Sequence, residues 1–401
     1  MPSRTLVLTG GGTAGHVIPN LALLPLLSQA GWKAEYIGSV TGIEKRLVEA
    51  KGLPFHGIAS GKLRRYFDRK NFSDPFRVVA GVFQAWRLLG RIRPQVVFSK
   101  GGFVAVPVVL AARLRGIPVI VHESDLTPGL ANRLAIPFAK SVCASFPQTM
   151  GHLPPAKAVL TGAPIRAELF HGDRVKGETF LGLGSGAADA GGSFGISGNA
   201  ASGGNAASGG SDAYGGSAAK GSGGSPGTDA AWKPLLLIVG GSLGSRNLNK
   251  GVRAVLPDLL ARYRIAHLCG KDGLDKSLEG RAGYAQREYV GDEMPDVLAA
   301  ADLILSRAGS NAIFEFLALQ KPHLLVPLPL TASRGDQILN ARAFAAEGYS
   351  RVLPEEEMGG GRLAQELEIL AAQADMYREA MRGSPFRDGA RKVMEVIDRF
   401  A

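Results

Sequence analysis

Two glycine loops carry the most legible chemistry in this sequence. Leu6-Val7-Leu8-Thr9 runs into Gly10-Gly11-Gly12-Thr13-Ala14-Gly15-His16, and Leu235–Val239 runs into Gly240-Gly241-Ser242-Leu243-Gly244-Ser245. In each, a short apolar strand turns through glycines into a helical stretch. Such a turn leaves amide N–H groups unpaired at the positive end of a helix dipole, which suits an anion such as a pyrophosphate. His16 directly follows the last glycine of the first loop, where an imidazole faces whatever anion the loop holds. The spacing Gly10-x-Gly12-x-x-Gly15 also fits a dinucleotide fingerprint, but that fingerprint expects an acidic residue at the end of the second strand to hold a ribose hydroxyl. Here that strand ends Tyr36-Ile37-Gly38-Ser39, with Glu35 near its start, which disfavours a nicotinamide oxidoreductase.

Two such units ask for two nucleotide-type folds facing a shared cleft. The chain has 401 residues, 45% of them apolar, enough for two cores, and it alternates apolar runs with helical stretches as parallel α/β sheets do. Strands are predicted at 5–9, 34–38, 96–99, 119–122 and 141–144, then at 235–239, 265–268, 303–306 and 323–326, each short and apolar on both faces. Over about 182–231 the composition turns to Gly, Ala, Ser, Asn and Asp, with Phe194, Ile196 and Tyr214 as isolated exceptions. That stretch cannot bury enough apolar surface to offset the entropy of ordering and is predicted to be a disordered insertion. A loop of about fifty residues in place of one of about five costs only about 2 kcal/mol of closure entropy. The expected organisation is a first Rossmann-like domain over 1–165, a second over 166–376 that contains the insertion, and an amphipathic, basic helix over 377–401 at the seam between them.

Composition narrows the class further. Cys143 and Cys269 lie in different halves without metal-ligand spacing, so reduced, buried thiols in a cytosolic protein are expected and a disulfide framework is not. No signal-peptide pattern opens the chain, and no apolar run approaches the eighteen or so residues that span a bilayer. A net charge of +11 and a pI near 9.7 call for an anionic partner: nucleic acid, anionic lipid or a phosphorylated substrate.

Seven segments, in order, resemble MurG-type N-acetylglucosaminyl transferases: GGGTAGHVIPNLAL at 10–23, SKGGFVAVP at 99–107, HESDLTPGLANR at 122–133, TGAPIR at 161–166, GGSLGSRNLN at 240–249, RAGSNAIFE at 307–315 and DQILNA at 336–341. The resemblance spans both halves and leaves out only the low-complexity insertion. It implies a GT-B architecture, with two Rossmann-like domains and a C-terminal helix crossing back to the first. It also implies transfer of GlcNAc from UDP-GlcNAc to undecaprenyl-pyrophosphoryl-MurNAc-pentapeptide (lipid I), giving lipid II in peptidoglycan synthesis by an inverting mechanism. The acceptor would sit on the first domain and the donor on the second. Where the family carries GGTGGH, HEQN, GNP and GGSQG, this chain has Ala14, Ser124-Asp125, Ala163 and Leu243. A related UDP-sugar transferase with another acceptor would share the fold, and a non-enzymatic membrane-associated binding module would share the surface.

Glycosyl transfer needs the departing diphosphate stabilised, an acceptor hydroxyl deprotonated and the two held in line. No D-x-D motif stands at an equivalent place, and no metal or other cofactor is expected, so leaving-group charge falls to helix dipoles, amides and a cation. Arg166 and Ser242 are the candidates for the diphosphate, and the resemblance assigns both to UDP-GlcNAc. It places Glu315 at the uridine ribose hydroxyls, a task that suits a carboxylate; the alternative is an exposed helix charge. Asp336 and Gln337 are expected at the sugar hydroxyls, with helix capping as the alternative. Thr13, Ala14 and Gly15 would line the donor sugar from the first domain. Asp125, Asn132, Val290, Ser310, Asn311, Ala312, Ile313 and Phe314 complete the substrate-binding set that the resemblance implies. His16 is the candidate base, with Glu123 second.

Between residues 62 and 93 the cations Lys62, Arg64, Arg65, Arg69, Lys70, Arg77, Arg87, Arg91 and Arg93 interleave with Phe67, Phe72, Phe76, Phe83 and Trp86. Cations beside exposed rings suit an anionic bilayer surface, and peripheral attachment at the cytoplasmic face of the cell membrane is expected. A solvated basic helix whose rings face the core is the alternative. A nucleic-acid partner is not expected, because no recognised binding module accompanies the patch.

Overall fold

The computed structural model describes residues 4–61, 74–184, 233–241, 244–333 and 335–400. Most of the predicted insertion, along with Ser242, Leu243 and the basic residues between Lys62 and Lys70, lies outside the described residues.

The first half forms seven strands: β1 (Arg4–Thr9), β2 (Trp32–Ser39), β3 (Phe55–Ile58), β4 (Val96–Ser99), β5 (Val119–Glu123), β6 (Ser141–Ala144) and β7 (Ala158–Leu160). They make one parallel sheet in the order β3-β2-β1-β4-β5-β6-β7. Helices α1 (Ala14–Leu21), α2 (Leu24–Gln29), α3 (Ile43–Glu49), α4 (Asp74–Ile92), α5 (Ala105–Leu114) and α6 (Leu130–Ala135) connect them. Successive strand side chains face opposite sides, and the sequence is apolar on both. Val7, Ile37, Val97 and Val121 meet Ala85, Leu89 and Val108 on one face, whereas Leu6, Leu8, Tyr36 and Phe98 meet Val17, Leu23 and Leu27 on the other.

After α7 (Arg174–Leu181) the second sheet follows with β8 (Leu235–Val239), β9 (Arg264–Leu268), β10 (Tyr284–Arg287), β11 (Leu303–Ser306), β12 (His323–Leu325) and β13 (Arg351–Val352), all parallel in the order β10-β9-β8-β11-β12-β13. Its helices are α8 (Arg246–Ala254), α9 (Leu256–Arg262), α10 (Met294–Ala300), α11 (Ser310–Ala318), α12 (Asp336–Ala346), α13 (Arg362–Ala372), α14 (Ala374–Arg382) and α15 (Gly389–Asp398). Tyr377 and Met381 of α14 pack in the second core, but α15 does not. Its Val393, Met394, Val396 and Ile397 complete the α2 side of the first domain. The Trp32 indole donates to Asp398 Oδ1 at 2.9 Å, so the chain crosses back between α14 and α15.

Strand order reverses beside β1 and β4 in one sheet and beside β8 and β11 in the other. A crevice outside the carboxyl ends of the strands at such a reversal is where doubly wound sheets bind ligands. Both glycine loops follow a strand at these points.

Candidate active site

The first loop leads into a helix start with no side-chain cap. Thr13 caps α1 with extended backbone and no side-chain cap bond, and no acidic residue lies in the first turn, so the helix start presents N–H groups and positive dipole. Gly12 has φ +85°, and a Cβ on Gly11 would fall 2.5 Å from Glu44 Oε1. Glu44 of α3 folds beneath the loop, accepting from Gly12 N at 3.2 Å and Ser39 N at 2.9 Å. The loop after β4 presses against it from the other side. Gly102 has φ +83°, and a Cβ there would come within 2.2 Å of Gly11 O, so any larger residue would force the two loops apart. His16 sits half-buried in the first turn of α1, on this loop.

The end of β5 supplies the adjoining wall. Glu123 is only 3% exposed and accepts three N–H bonds, from Asp125 N at 2.9 Å, Gly129 N at 3.0 Å and Asn132 Nδ2 at 2.8 Å. Burial pushes its carboxyl up from the usual range, with the Asp125 charge adding to the rise and the N–H donors opposing it. Asn132 also donates to His122 O at 3.1 Å. Its Nδ2 is therefore occupied in shaping this loop.

The second domain closes the cleft through the helix starts that follow β11 and β12. Ser310 Oγ donates to Ser124 O at 2.5 Å, and Asn311 Nδ2 donates to Gly15 O at 2.8 Å. The N-terminal turns of α1 and α11 thus face each other. Asn340 of α12 donates to Asp125 Oδ1 at 3.1 Å and accepts from Leu126 N at 3.3 Å. Arg166, on the segment that links the domains, holds Glu315 at 3.0 Å. Burial raises the Glu315 carboxyl above its usual range and the Arg166 charge opposes the rise, so Glu315 is not a loose surface charge.

Asp336 opens α12 after Gly335, whose φ is +88°, and Gln337 Oε1 accepts from Leu328 N at 3.1 Å. Ala312 is half-buried. Ile313 and Phe314 are turned into the core, Phe314 edge-on to Phe146 with centroids 5.0 Å apart; only their backbone faces the helix start. Val290 lies beyond β10, at the far edge of the second sheet. Ser242 lies outside the described residues. The sequence reading gave no role to Glu44, Lys100 or Asn340. Lys100 and Asn340 sit inside the family-like segments; apolar or small residues flank Lys100 at two positions on each side and Asn340 at one on each side, which marks a buried polar residue. Glu44 lies among the ordinary charges of an amphipathic helix and carries no such signal.

A second surface lies on α4. Phe76, Phe83 and Trp86 are 78%, 58% and 40% exposed, and Val79 joins them, while Ala85 and Leu89 face the core. The rings at 76, 83 and 86 share one stripe of the helix. Arg87 lies 5.8 Å over Phe83, and Arg115 lies 4.0 Å over Trp86. Among the described residues no helix is long and apolar enough to cross a membrane.

Comparison with known proteins agrees with this arrangement. Residues 6–144 match the glycosyltransferase family 28 N-terminal domain and residues 235–396 the glycosyltransferase family 28 C-terminal domain. A Clostridium botulinum protein named UDP-N-acetylglucosamine--N-acetylmuramyl-(pentapeptide) pyrophosphoryl-undecaprenol N-acetylglucosamine transferase is 46% identical over 397 residues, 99% of either chain. A protein of the same name from Lachnoclostridium phytofermentans is 49% identical over 395 residues, 98% of either chain. Among solved structures, Acinetobacter baumannii MurG superposes with a TM-score of 0.68 at 24% identity, covering 99% of both chains. The UDP-GlcNAc 2-epimerase of Neisseria meningitidis shares the fold with a TM-score of 0.61 at 12% identity, also over 99% of both.

Proposed function

This chain belongs to glycosyltransferase family 28, and on that premise we propose that it transfers N-acetylglucosamine from UDP-GlcNAc to lipid I, giving lipid II, with inversion at the anomeric carbon. The observation that carries the reading is the pair of opposed helix starts, α1 on one domain and α11 on the other, bridged by Asn311 and Gly15 at 2.8 Å. Each offers unpaired amides and positive dipole to phosphate. One suits the pyrophosphate of the acceptor, and the other, with Arg166 and the loop containing Ser242, suits the diphosphate of the donor.

The acceptor hydroxyl oxygen forms a bond to the anomeric carbon while the bond from that carbon to the diphosphate oxygen breaks, and the electron pair leaves with UDP. The hydroxyl proton passes to His16 on the first loop. Glu123 fits that role less well, since three N–H groups already occupy its oxygens. Glu315 takes the ribose hydroxyls, sharing its carboxylate with Arg166. Asp336 and Gln337, at the start of α12, take hydroxyls of the transferred sugar. Substrate binding thereby draws on both domains, and alignment of the reacting atoms depends on how they are registered.

In this reading the α4 stripe serves as the membrane surface. Exposed rings with arginines beside them suit entry into the interface and contact with anionic headgroups, and attachment there at the cytoplasmic face supports use of a lipid-anchored acceptor. No nucleic acid takes part in this reading. A coupled assay of UDP release from UDP-GlcNAc tests it: turnover that depends on lipid I supports the proposal, and release indifferent to lipid I rejects it.

A further inference from the structure

Lys100, the first residue after β4, is only 1% exposed, and nothing in the transfer reaction above uses it. Its backbone N–H donates to Thr9 O at 2.9 Å, which sets it directly under the first glycine loop. An ammonium removed from water is costly unless it is paired and hydrogen-bonded. Nζ donates to His122 Nδ1 at 2.7 Å and to Ser124 Oγ. With Nδ1 accepting, the ring proton of His122 resides on Nε2, and that N–H donates to Gly162 O at 3.0 Å.

Each of those two bonds leads to a segment that touches the second domain. Ser124 offers its carbonyl to Ser310 Oγ, and the next two residues meet Asn340. Gly162, at φ +78°, opens the segment that ends in Arg166, which holds Glu315. Ser310 and Glu315 lie on one helix, α11. A single buried ammonium thus secures two of the contacts by which the first domain and its linker grip that helix, beside the bond from Asn311 to Gly15 O.

We propose that Lys100 is a positioning residue for transfer: acting through Ser124 and His122 and never on substrate, it sets the register of α11 against the first domain. The inference rests on the transferase reading for its kinetic consequence but not for its structural one. The groups facing Nζ are His122 and Glu123 of β5, Asp125 after it and Cys143 of β6. Burial lowers Lys100 to about 7, against the pull of Glu123, Asp125 and Cys143. Burial, then the Lys100 charge, holds His122 well below its ordinary range, and burial pushes Cys143 up to about 12. A neutral Lys100 accepts as readily as it donates, so one of the two constraints that hold the His122 proton on Nε2 is lifted and the tie to Gly162 slackens.

Nitrogen-15 NMR of histidine-labelled full-length protein tests this without substrate. The expected result is a His122 ring held as the Nε2–H tautomer at pH 6, with that preference weakened as Lys100 titrates and weakened at every pH in Lys100→Met, where Gly162 O still favours it. In lipid I-dependent UDP release, Lys100→Met should lower kcat about tenfold to a hundredfold, as a small misplacement of reacting groups does, while the KM for UDP-GlcNAc moves less than about threefold, because uniform binding is untouched. Lys100→Arg, which keeps the cation, should recover part of kcat. A His122 ring that does not carry its proton on Nε2 at pH 6 in the wild type overturns the inference even if Lys100→Met does not fold, and so does a folded Lys100→Met with wild-type kcat. Absence of any turnover in the wild type rejects the transferase reading instead and leaves the tautomer measurement to judge Lys100.

Discussion

Arg166 grips Glu315 with both ends of its guanidinium fork, Nε to Oε1 at 3.0 Å and Nη2 to Oε2 at 3.2 Å. The arginine comes from the linker and the carboxylate from the first turns of α11, so the contact joins the route between the domains to the helix expected to hold the donor. A bidentate pair fixes the carboxylate plane as well as its charge. Donor hydroxyls then meet an acceptor that is already oriented.

Glu315→Ala should therefore raise the KM for UDP-GlcNAc by about tenfold to a hundredfold, the equivalent of a lost charge-assisted hydrogen bond worth about 1.5–3 kcal/mol. Repeating the comparison with a 2′-deoxyuridine donor should shrink the effect. Donor kinetics unchanged in Glu315→Ala would show that the carboxylate serves Arg166 alone.

His16 and Glu123 should separate by kind of damage. His16→Ala should lower kcat by about 10²–10⁴-fold, the usual weight of a general base, with the KM for UDP-GlcNAc and the melting temperature little changed. Glu123→Ala strips the acceptor from three N–H groups, each costing about 1–3 kcal/mol if left buried and unpaired, so it should lower the melting temperature as well. If the two variants exchange these signatures in paired calorimetry and kinetics, Glu123 is the base.

Much of this was written in residue patterns, and what was not has physical causes. The apolar strand runs and glycine turns located the nine inner strands of both sheets, because a covered parallel strand is apolar on both faces and only glycine tolerates the approach of Gly102 to Gly11. The edge strands β3, β7, β10 and β13, short or less apolar, went unread. The motif residues around Glu315 and Asp336 were legible as polar groups at helix starts. Asn132 was legible only as part of a motif; that it braces Glu123 follows from a fold-back across α6 that no local pattern encodes. The two roles of the RAGSNAIFE segment separate only in three dimensions, with Ser310 and Asn311 facing the cleft and Ile313 and Phe314 the core. At the borders of the predicted insertion, Leu183 O and Lys233 O both accept from the Arg264 guanidinium, at 2.6 and 2.9 Å. One long-range cation thus closes the ends of a segment whose composition alone drew attention.

The α4 stripe should carry membrane affinity without chemistry. Phe83→Ser combined with Trp86→Ser should weaken binding to vesicles of anionic phospholipid by about tenfold or more, since each buried ring contributes about 1.5–3 kcal/mol. Turnover of a short-chain, water-soluble acceptor should stay near wild type. Sedimentation with the vesicles checks the first part; unchanged binding would return the stripe to an ordinary solvated surface.

Lys100 also leaves a mark on stability. Its pKa in the folded protein, about 7, lies below the unfolded value of about 10.4, so between those values the unfolded chain binds more protons and stability rises with pH. Below about 7 the full cost of the buried ammonium is present. Lys100→Met removes this contribution, so its urea midpoint should climb less steeply from neutral to alkaline pH than that of the wild type. Parallel slopes would mean that Lys100 titrates as an exposed lysine does.

The account stands or falls on the product. Purified protein should be incubated with UDP-GlcNAc and lipid I in anionic vesicles, and the lipid fraction analysed by mass spectrometry before and after digestion with a β-specific hexosaminidase. The expected result is a lipid I species heavier by one N-acetylhexosamine residue, formed only when both substrates are present and returned to lipid I by the enzyme, as an inverting transfer from the α-linked donor requires. UDP release with no sugar-bearing lipid, or an added sugar that resists the β-specific enzyme, would contradict it.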